Sequence, residues 1–294
     1  MENYSDMMIR DWIQYITEIQ HEQELSLKNG TEFYMPFIAT SITVVKTVFT
    51  LAEYFNLHPR TKYLSLYLFD KYMCNKFWEI YKKYENDAEN NTHNWNQVTD
   101  KFSNEIKLRL MSCIQLASKV DSHYKHLGIA QIIAGLQLMS PENNEKVEYS
   151  PNTIFKSEIK VFKTLNYRIP SITPLDCLEV LLVALGLRDL PKFYESTISI
   201  LDLTFLQHQN LYGQLQLMII GSIARTKIEK ITFMTMEIDM LFLSASIIVC
   251  TLFFFNVKKE RQISITEKLA ELIDIKHKDI YLMATTIFEL ARPN

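Results

Sequence analysis

The sequence of 294 residues contains little glycine and little proline, with six glycines and eight prolines. Phosphate-binding loops and dinucleotide-binding turns need closely spaced glycines, because their backbone takes positive φ values or approaches a phosphate. The six glycines form no such cluster. Their scarcity excludes the common nucleotide-binding α/β enzymes and turn-rich β folds, and it favours helices joined by short loops. The glycines are Gly30, Gly128, Gly135, Gly186, Gly213 and Gly221.

Cysteine and an excess of one charge are also scarce. The four cysteines are far apart in the sequence, so we expect small core residues in a reducing compartment and no disulfide framework. A net charge of −3 gives neither a basic surface for nucleic acid nor a polybasic patch for a membrane. The polar, acidic start of the chain differs from a secretory signal, and we therefore expect an intracellular protein.

Sequence patterns of catalysis and metal binding are missing as well. The chain has no Gly-x-Ser-x-Gly turn for a nucleophilic serine, and its seven histidines are scattered. His123 and His126 are three residues apart, but no cysteine or carboxylate follows at metal-ligand spacing, so we interpret both as solvated loop residues. We predict that the protein is not an enzyme and uses no metal and no cofactor.

One long apolar run allows two interpretations. Met240–Val257 contains no charged residue, and as a helix it would be about 27 Å long, close to the ~30 Å hydrocarbon core of a bilayer. A membrane span is therefore one interpretation. The other is a core helix that is buried on all sides, which Ser244, Ser246 and Thr251 within the run favour. An integral membrane protein is the least favoured of the functional hypotheses.

Apolar residues recur at helical spacing along most of the chain. The spacing predicts an N-terminal helical extension, five helices up to residue 166, a break at Pro170 and Pro174, and about five further helices. We expect the last helix to begin near Thr266, because a threonine hydroxyl suits a helix N-cap. The fold class is therefore all-α. The predicted domains are the extension at 1–35, a first lobe at 36–170 and a second lobe at 171–292.

Three segments together resemble the cyclin box. Leu116-Ala117-Ser118-Lys119 ends a predicted central helix that is rich in small residues, and Glu158 opens a later helix that is followed by the two prolines. Asp70-Lys71-Tyr72 ends an earlier helix, as a similar tripeptide does in cyclins. The resemblance covers roughly residues 37–174. It implies a cyclin-like fold with two lobes of about five helices each, in which Met240–Val257 is the buried central helix of the second lobe.

Within the cyclins, the chain is most similar to a branch of cyclin-like proteins that promote crossovers in meiosis. The segments that indicate this branch are Asn94-Trp95, Leu108–Lys119 and Thr173-Pro174-Leu175. The resemblance implies a regulatory protein that acts by protein–protein binding in meiotic recombination. It also implies a nuclear location on meiotic chromosomes, with the cytoplasm as a second compartment.

The resemblance also assigns candidate site residues. In cyclins the lysine and the glutamate at the positions of Lys119 and Glu158 face a cyclin-dependent kinase, and the alternative is that both are ordinary surface charges. Substrate-recruiting cyclins present an apolar docking patch with a tryptophan on their first-box helix. This sequence has mostly hydroxyl residues there, which cannot form the same groove. The altered docking patch comprises Thr40, Thr43, Val44 and Thr47.

Two partner hypotheses follow from these residues. In the first, the chain is the regulatory subunit of a cyclin-dependent kinase and contacts it through Lys119 and Glu158. In the second, the chain is a kinase-independent scaffold for recombination, clamp-loader or ubiquitin-ligase proteins, and the altered docking patch favours this alternative. Both hypotheses need protein partners, and neither needs a nucleic-acid site or a membrane.

Overall fold

The computed structural model describes residues 4–29, 37, 39–86, 95–122, 126–139, 149–221 and 226–292. These residues contain thirteen α-helices and no strand, so the predicted all-α class is confirmed. The helices are α1 Tyr4–Asn29, α2 Ile42–Tyr54, α3 Pro59–Asn86, α4 Trp95–Asp121, α5 Ile129–Leu138, α6 Pro151–Thr164, α7 Pro174–Ala184, α8 Pro191–Leu206, α9 His208–Ile220, α10 Lys227–Ile238, α11 Met240–Phe254, α12 Lys259–Ile273 and α13 His277–Ala291.

The chain divides into two compact units. One unit comprises residues 34–171 and contains α2 to α6, which are the five helices predicted before the prolines. The other comprises residues 1–33 together with 172–294 and contains α1 and α7 to α13. The N-terminal helix α1 therefore belongs to the same unit as the C-terminal helices, against which it packs at α7, α10 and α12.

In the unit 34–171, α4 is the central helix and packs against α3, α5 and α6. Every residue from Leu108 to Ser118 is buried. Small side chains such as Cys113 and Ala117 allow neighbouring helices to approach this helix on several sides. The sequence-based prediction of a central helix with small residues is confirmed.

In the other unit, α11 is the central helix and packs against α7, α8, α12 and α13. Every residue from Leu241 to Leu252 is buried, which confirms the interpretation of this run as a core helix. No single described helix is long and apolar enough to span a membrane. The pair Glu229–Ile238 and Met240–Phe254 reaches that length and hydropathy only together, with a bend of 64° between its two parts.

The second half of the chain contains seven described helices after the prolines, where we predicted about five. The last predicted helix, expected to begin near Thr266, is in fact two helices, α12 and α13, because Asp274 ends α12 with a φ of 52°. Aspartate tolerates this left-handed conformation better than most residues. Thr266 is not an N-cap. It lies buried inside α12, where its hydroxyl donates to the Gln262 carbonyl.

Candidate protein-interaction surface

The predicted site residues Lys119 and Glu158 lie on α4 and α6, two helices with clear sequence signals. α6 begins after Ser150, whose Oγ accepts a hydrogen bond from the Thr153 N–H at 3.2 Å, and Pro151 occupies the first turn. The serine hydroxyl accepts a hydrogen bond from a backbone N–H that has no partner within the helix, and proline has no backbone N–H that would need one. Lys119 lies in the last turn of α4, where a cation interacts favourably with the helix dipole.

The two helices meet at a pair of serines. The Ser112 and Ser157 hydroxyl oxygens are 2.6 Å apart, and both residues are buried. Arg109, one turn before Ser112, is also buried and donates from Nη1 to the Ser157 Oγ at 2.6 Å. Because serine side chains are small, the two helices can approach at this contact while longer side chains pack on either side of it. This polar contact therefore fixes how α6, and with it Glu158, is placed against α4.

The structure brings Lys119 and Glu158 together as an ion pair. The Glu158 side chain is only 10% exposed, whereas the Lys119 side chain is 38% exposed. The glutamate is therefore not an ordinary surface charge, because it lies at the base of the pair and holds the ammonium. A buried carboxylate needs such a partner, since an unpaired charge would be costly to remove from water.

A second charged group lies on the same two helices. The Glu105 carboxylate accepts hydrogen bonds from Arg109 at 2.5 Å and from Lys160 at 3.1 Å. Burial would raise the pKa of Glu105, but the hydrogen bonds and charges of Arg109 and Lys160 outweigh burial and lower it. Burial also raises the pKa of neighbouring Tyr72 to about 12. Glu105 is therefore ionised and the Tyr72 hydroxyl is neutral at pH 7.

Large apolar side chains flank the ion pair. On α6, Phe155 is 47% exposed and Ile159 is 53% exposed, and the two are one helical turn apart. Val120, which follows Lys119 on α4, is exposed as well. Exposed aromatic and aliphatic side chains beside a partly buried charge are typical of protein interfaces. Phe155 and Ile159 therefore lie outside the buried face of α6.

The altered docking patch lies at the start of α2. Thr43 is exposed, and Val44 and Thr47 are half-buried. The Thr47 hydroxyl donates to the Thr43 carbonyl at 2.8 Å. Thr40 precedes the helix and is buried, so its side chain is not part of the exposed surface. Whether a docking partner binds here stays a prediction.

Sequence reasoning missed a polar group that joins α3 to the end of α4. The Asp121 carboxylate accepts a hydrogen bond from the Thr61 hydroxyl at 2.5 Å and lies 3.7 Å from the Arg60 guanidinium. The same guanidinium donates to the Ser171 carbonyl at 2.7 Å. The sequence signal for this polar group is that Arg60 and Thr61 directly follow Pro59, which marks the start of a helix. These contacts hold the α4 end that carries Lys119.

Among the described residues, no group of three histidine, cysteine or acidic side chains is arranged to hold a metal ion. His126 is exposed, and His123 lies outside the described residues. The four cysteines are buried thiols that form no disulfide. The groups that are present at the site, an ion pair beside exposed apolar side chains, support recognition through charge and apolar contact.

Comparisons with known proteins show what the chain is similar to. Residues 39–170 match the family described as cyclin, N-terminal domain. Cyclin N-terminal domain-containing protein 1 from Mus musculus and its counterpart from Homo sapiens are each 26% identical over 220 residues, or 72% of this chain. The matches cover 64% of the mouse protein and 65% of the human protein, so the chain spans just under two thirds of these relatives. The family predicted from the sequence motifs is confirmed.

Proposed function

The chain is a cyclin-like protein with a cyclin N-terminal domain, and from this premise we propose that it regulates a cyclin-dependent kinase by binding to it. Proteins of the cyclin family are regulatory and are not themselves enzymes, and a cyclin domain indicates protein–protein interaction. The proposed binding surface comprises Lys119, Val120, Phe155, Glu158 and Ile159. In this role the chain would stabilise one conformation of the kinase over another.

The observation that carries the proposal is the Lys119–Glu158 pair with its apolar surroundings. Glu158 is buried at the base of the pair, so the ammonium of Lys119 is held at one place and not spread over many rotamers. A cation fixed in this way can donate to carbonyl groups at the end of a partner helix. The exposed Phe155 and Ile159 would supply the apolar area that charge contacts alone do not provide.

A charge reversal separates a binding role from a structural role of the pair. Lys119→Glu and Glu158→Lys each leave two like charges together, so both single variants lose stability. The double variant restores an ion pair with reversed polarity and therefore regains the lost stability. If a kinase reads the polarity of the surface, the double variant folds like the wild type but no longer co-purifies with the kinase.

The measurement is the recovery of each member of a cyclin-dependent kinase panel that is co-expressed with the tagged chain. Reversal of the Lys76–Glu79 pair on α3, in which the Glu79 side chain is 44% exposed, is the matched control, because it changes the same charges in the same unit. We expect normal recovery with Lys76→Glu/Glu79→Lys and loss of recovery with Lys119→Glu/Glu158→Lys. Equal recovery with both double variants would rule out the proposed surface.

We further propose that the process regulated is the maturation of recombination intermediates into crossovers in meiotic nuclei. The support is the similarity to a meiotic, crossover-promoting branch of cyclin-like proteins that the sequence motifs indicate. Tagged protein on the chromosomes of meiotic cells, and fewer crossovers per meiosis after loss of the gene, are the expected results. A normal crossover number in the absence of the protein would contradict this role.

The second candidate is a scaffold that binds recombination, clamp-loader or ubiquitin-ligase proteins without activating a kinase. The threonine-rich start of α2 favours it, because Thr43 and Thr47 replace the apolar side chains of a substrate-docking groove. The kinase panel distinguishes the two candidates. A scaffold would recover such partners from meiotic cells while no kinase gains activity on a generic substrate in the presence of the chain.

A further inference from the structure

A second candidate surface lies in the unit that contains α1 and α7 to α13. A cleft of about 320 Å³ opens between α1, α9, α10, α13 and the start of α11. Its volume is at the lower end of the ~300–1,000 Å³ that ligand pockets occupy, which suits one or two side chains and not a large cofactor. The buried Leu215 and Phe242 line its base, and the exposed Ile219 and Leu282 line its edge.

All the charged side chains that line the cleft are acidic. Glu24 comes from α1, Asp239 caps the start of α11, and Asp279 lies in the first turn of α13. No described lysine, arginine or histidine lines the cleft. Glu24 forms a loose surface pair with Lys28 at 3.5 Å, one turn further along α1. Lys278 lines a separate cleft beside Ile263.

Asp239 already performs a structural role as the cap of α11. Its Oδ1 accepts hydrogen bonds from the Phe242 N–H at 2.8 Å and from the Gln20 amide at 3.2 Å. Burial raises the pKa of Asp239 to about 6 and outweighs the hydrogen bonds from Phe242, Gln20 and Leu241, which lower it, while the nearby Glu24 carboxylate raises it further. The acidic Glu237 on α10 and the buried Tyr212 on α9 are also close and supply no positive charge. An ionised carboxylate in these surroundings is poorly stabilised, and a cation would stabilise it.

We propose that this cleft binds a peptide segment of a partner protein in which one arginine or lysine lies between aliphatic side chains. The cation would enter between the three carboxylates, where charge complementarity favours it. The aliphatic neighbours would cover Ile219 and Leu282, which are otherwise exposed to water. The surface lies in a different unit from Lys119 and Glu158, so the proposal does not depend on kinase binding.

The test measures the binding of short fluorescein-labelled peptides to the full chain by fluorescence anisotropy. The probe has a central arginine between leucines in a glycine–serine background. In a first comparison peptide citrulline, which has the same shape but no charge, replaces the arginine. In a second, serines replace the leucines. We expect the first probe to bind and each comparison peptide to bind at least about tenfold more weakly, as the loss of a charge pair or of apolar burial predicts.

Variants of the chain locate the binding. Glu24→Gln/Asp279→Asn removes two carboxylates and keeps the Asp239 cap, so the protein stays folded, which circular dichroism checks. We expect about tenfold weaker binding of the arginine probe to it. Leu282→Ser tests the apolar edge and should also weaken binding. Glu267→Gln/Asp189→Asn is the control, because it removes two exposed acidic residues that do not line the cleft.

Three outcomes would overturn the proposal. The first is an arginine probe that does not bind at all. The second is equal binding of the arginine and citrulline probes, and the third is binding that Glu24→Gln/Asp279→Asn leaves unchanged. Self-association of the chain that the same double variant abolishes would identify a second copy as the occupant, and would also overturn it. Because Lys119→Glu/Glu158→Lys leaves the cleft intact, failure of the kinase proposal would not affect these results.

Discussion

The two units of this chain are each arranged around one buried helix, and the two helices differ in the side chains that they bury. The buried part of α11 contains no charged residue, and its polar members are Ser244, Ser246 and Thr251. Their hydroxyls donate to main-chain carbonyls, two of them within α11 itself. The buried part of α4 includes the charged Arg109, together with Ser112, Gln115 and Ser118.

The difference teaches how each helix is linked to the surface. Polar side chains of α4 contact Ser157 and Glu158 on α6. The exposed Phe155 and Ile159 lie on the same helix, close to these two residues in sequence. The hydroxyls of α11 donate to main-chain carbonyl groups, and all of them are buried. Its one strong polar contact is the cap at Asp239, at the proposed peptide cleft. In both units, the candidate surface lies beside polar contacts of the central helix.

The largest effect is expected from a cavity in α11, because the buried part of this helix is mostly apolar. Ile248 is fully buried, and Ile248→Ala should lower the free energy of unfolding of its unit by about 2–5 kcal/mol. Urea unfolding measures this change in the free energy of unfolding. Trp12 is the one tryptophan in that unit, so it reports on the unit when Trp78 and Trp95 are changed to phenylalanine. Ile263→Ala, at an exposed position of α12, should change stability by less than about 0.5 kcal/mol.

An intermediate effect is expected at the cap of α11. Burial raises the pKa of Asp239 from 3.8 to about 6, so between these values the folded state binds more protons than the unfolded state. The free energy of unfolding therefore falls as pH rises from 4 to 6, by at most about 3 kcal/mol. Asp239→Asn keeps a capping oxygen. It should raise stability at pH 8 by about 1–3 kcal/mol and remove this part of the pH dependence.

A comparison of wild type and Asp239→Asn over the pH range isolates this residue. Burial lowers the pKa of His208 in the same unit to about 3, so His208 destabilises the fold as pH falls below 6.5, in the opposite direction. His208 is present in both proteins and cancels in the difference. A variant that is less stable than the wild type at pH 8, with the same pH profile, would contradict the prediction.

Much of the fold follows from the sequence, because its strongest signals are long apolar patterns. The uncharged run at 240–257 and the small residues of Leu108–Lys119 correctly predict the two central helices. Helix ends are less readable where no glycine or proline marks them. Asn256 and Asp274 both take positive φ values at the ends of α11 and α12, and neither residue type by itself distinguishes a helix end from a solvated helix position.

The candidate sites are harder to predict, because they depend on contacts between helices that are distant in sequence. The family resemblance identifies Lys119 and Glu158 as separate kinase-facing residues, but it does not predict that they pair with each other. The contact of Arg109 with Ser157 has no local signal either. The cleft lined by Glu24, Asp239 and Asp279 brings together three acidic residues from widely separated segments. Periodicity identifies which residues form a helix face, but it does not identify which helix covers that face.

The smallest effect is expected from the charged contacts of α4, and it tests whether these contacts add stability or mainly fix geometry. Arg109→Met replaces a buried guanidinium by an apolar side chain of similar length. Glu105 is about one third exposed and keeps Lys160 as a partner, so the loss should be about 1–2 kcal/mol, below that of a fully buried pair. Lys156→Met, at an exposed position of α6, is the control.

A double-mutant cycle with Glu105→Gln gives the coupling energy, which we expect to be about 0.5–1.5 kcal/mol at pH 7. The contacts with Arg109 and Lys160 lower the pKa of Glu105, so they stabilise the folded state above pH 4.5 and lose this effect as pH falls. The coupling should therefore shrink in acid. Trp78 and Trp95 both lie in this unit and report on it when Trp12 is changed to phenylalanine. A coupling near zero at pH 7 would mean that Arg109 positions α6 without stabilising it. In that case the charged helix and the apolar helix would both depend on packing for their stability.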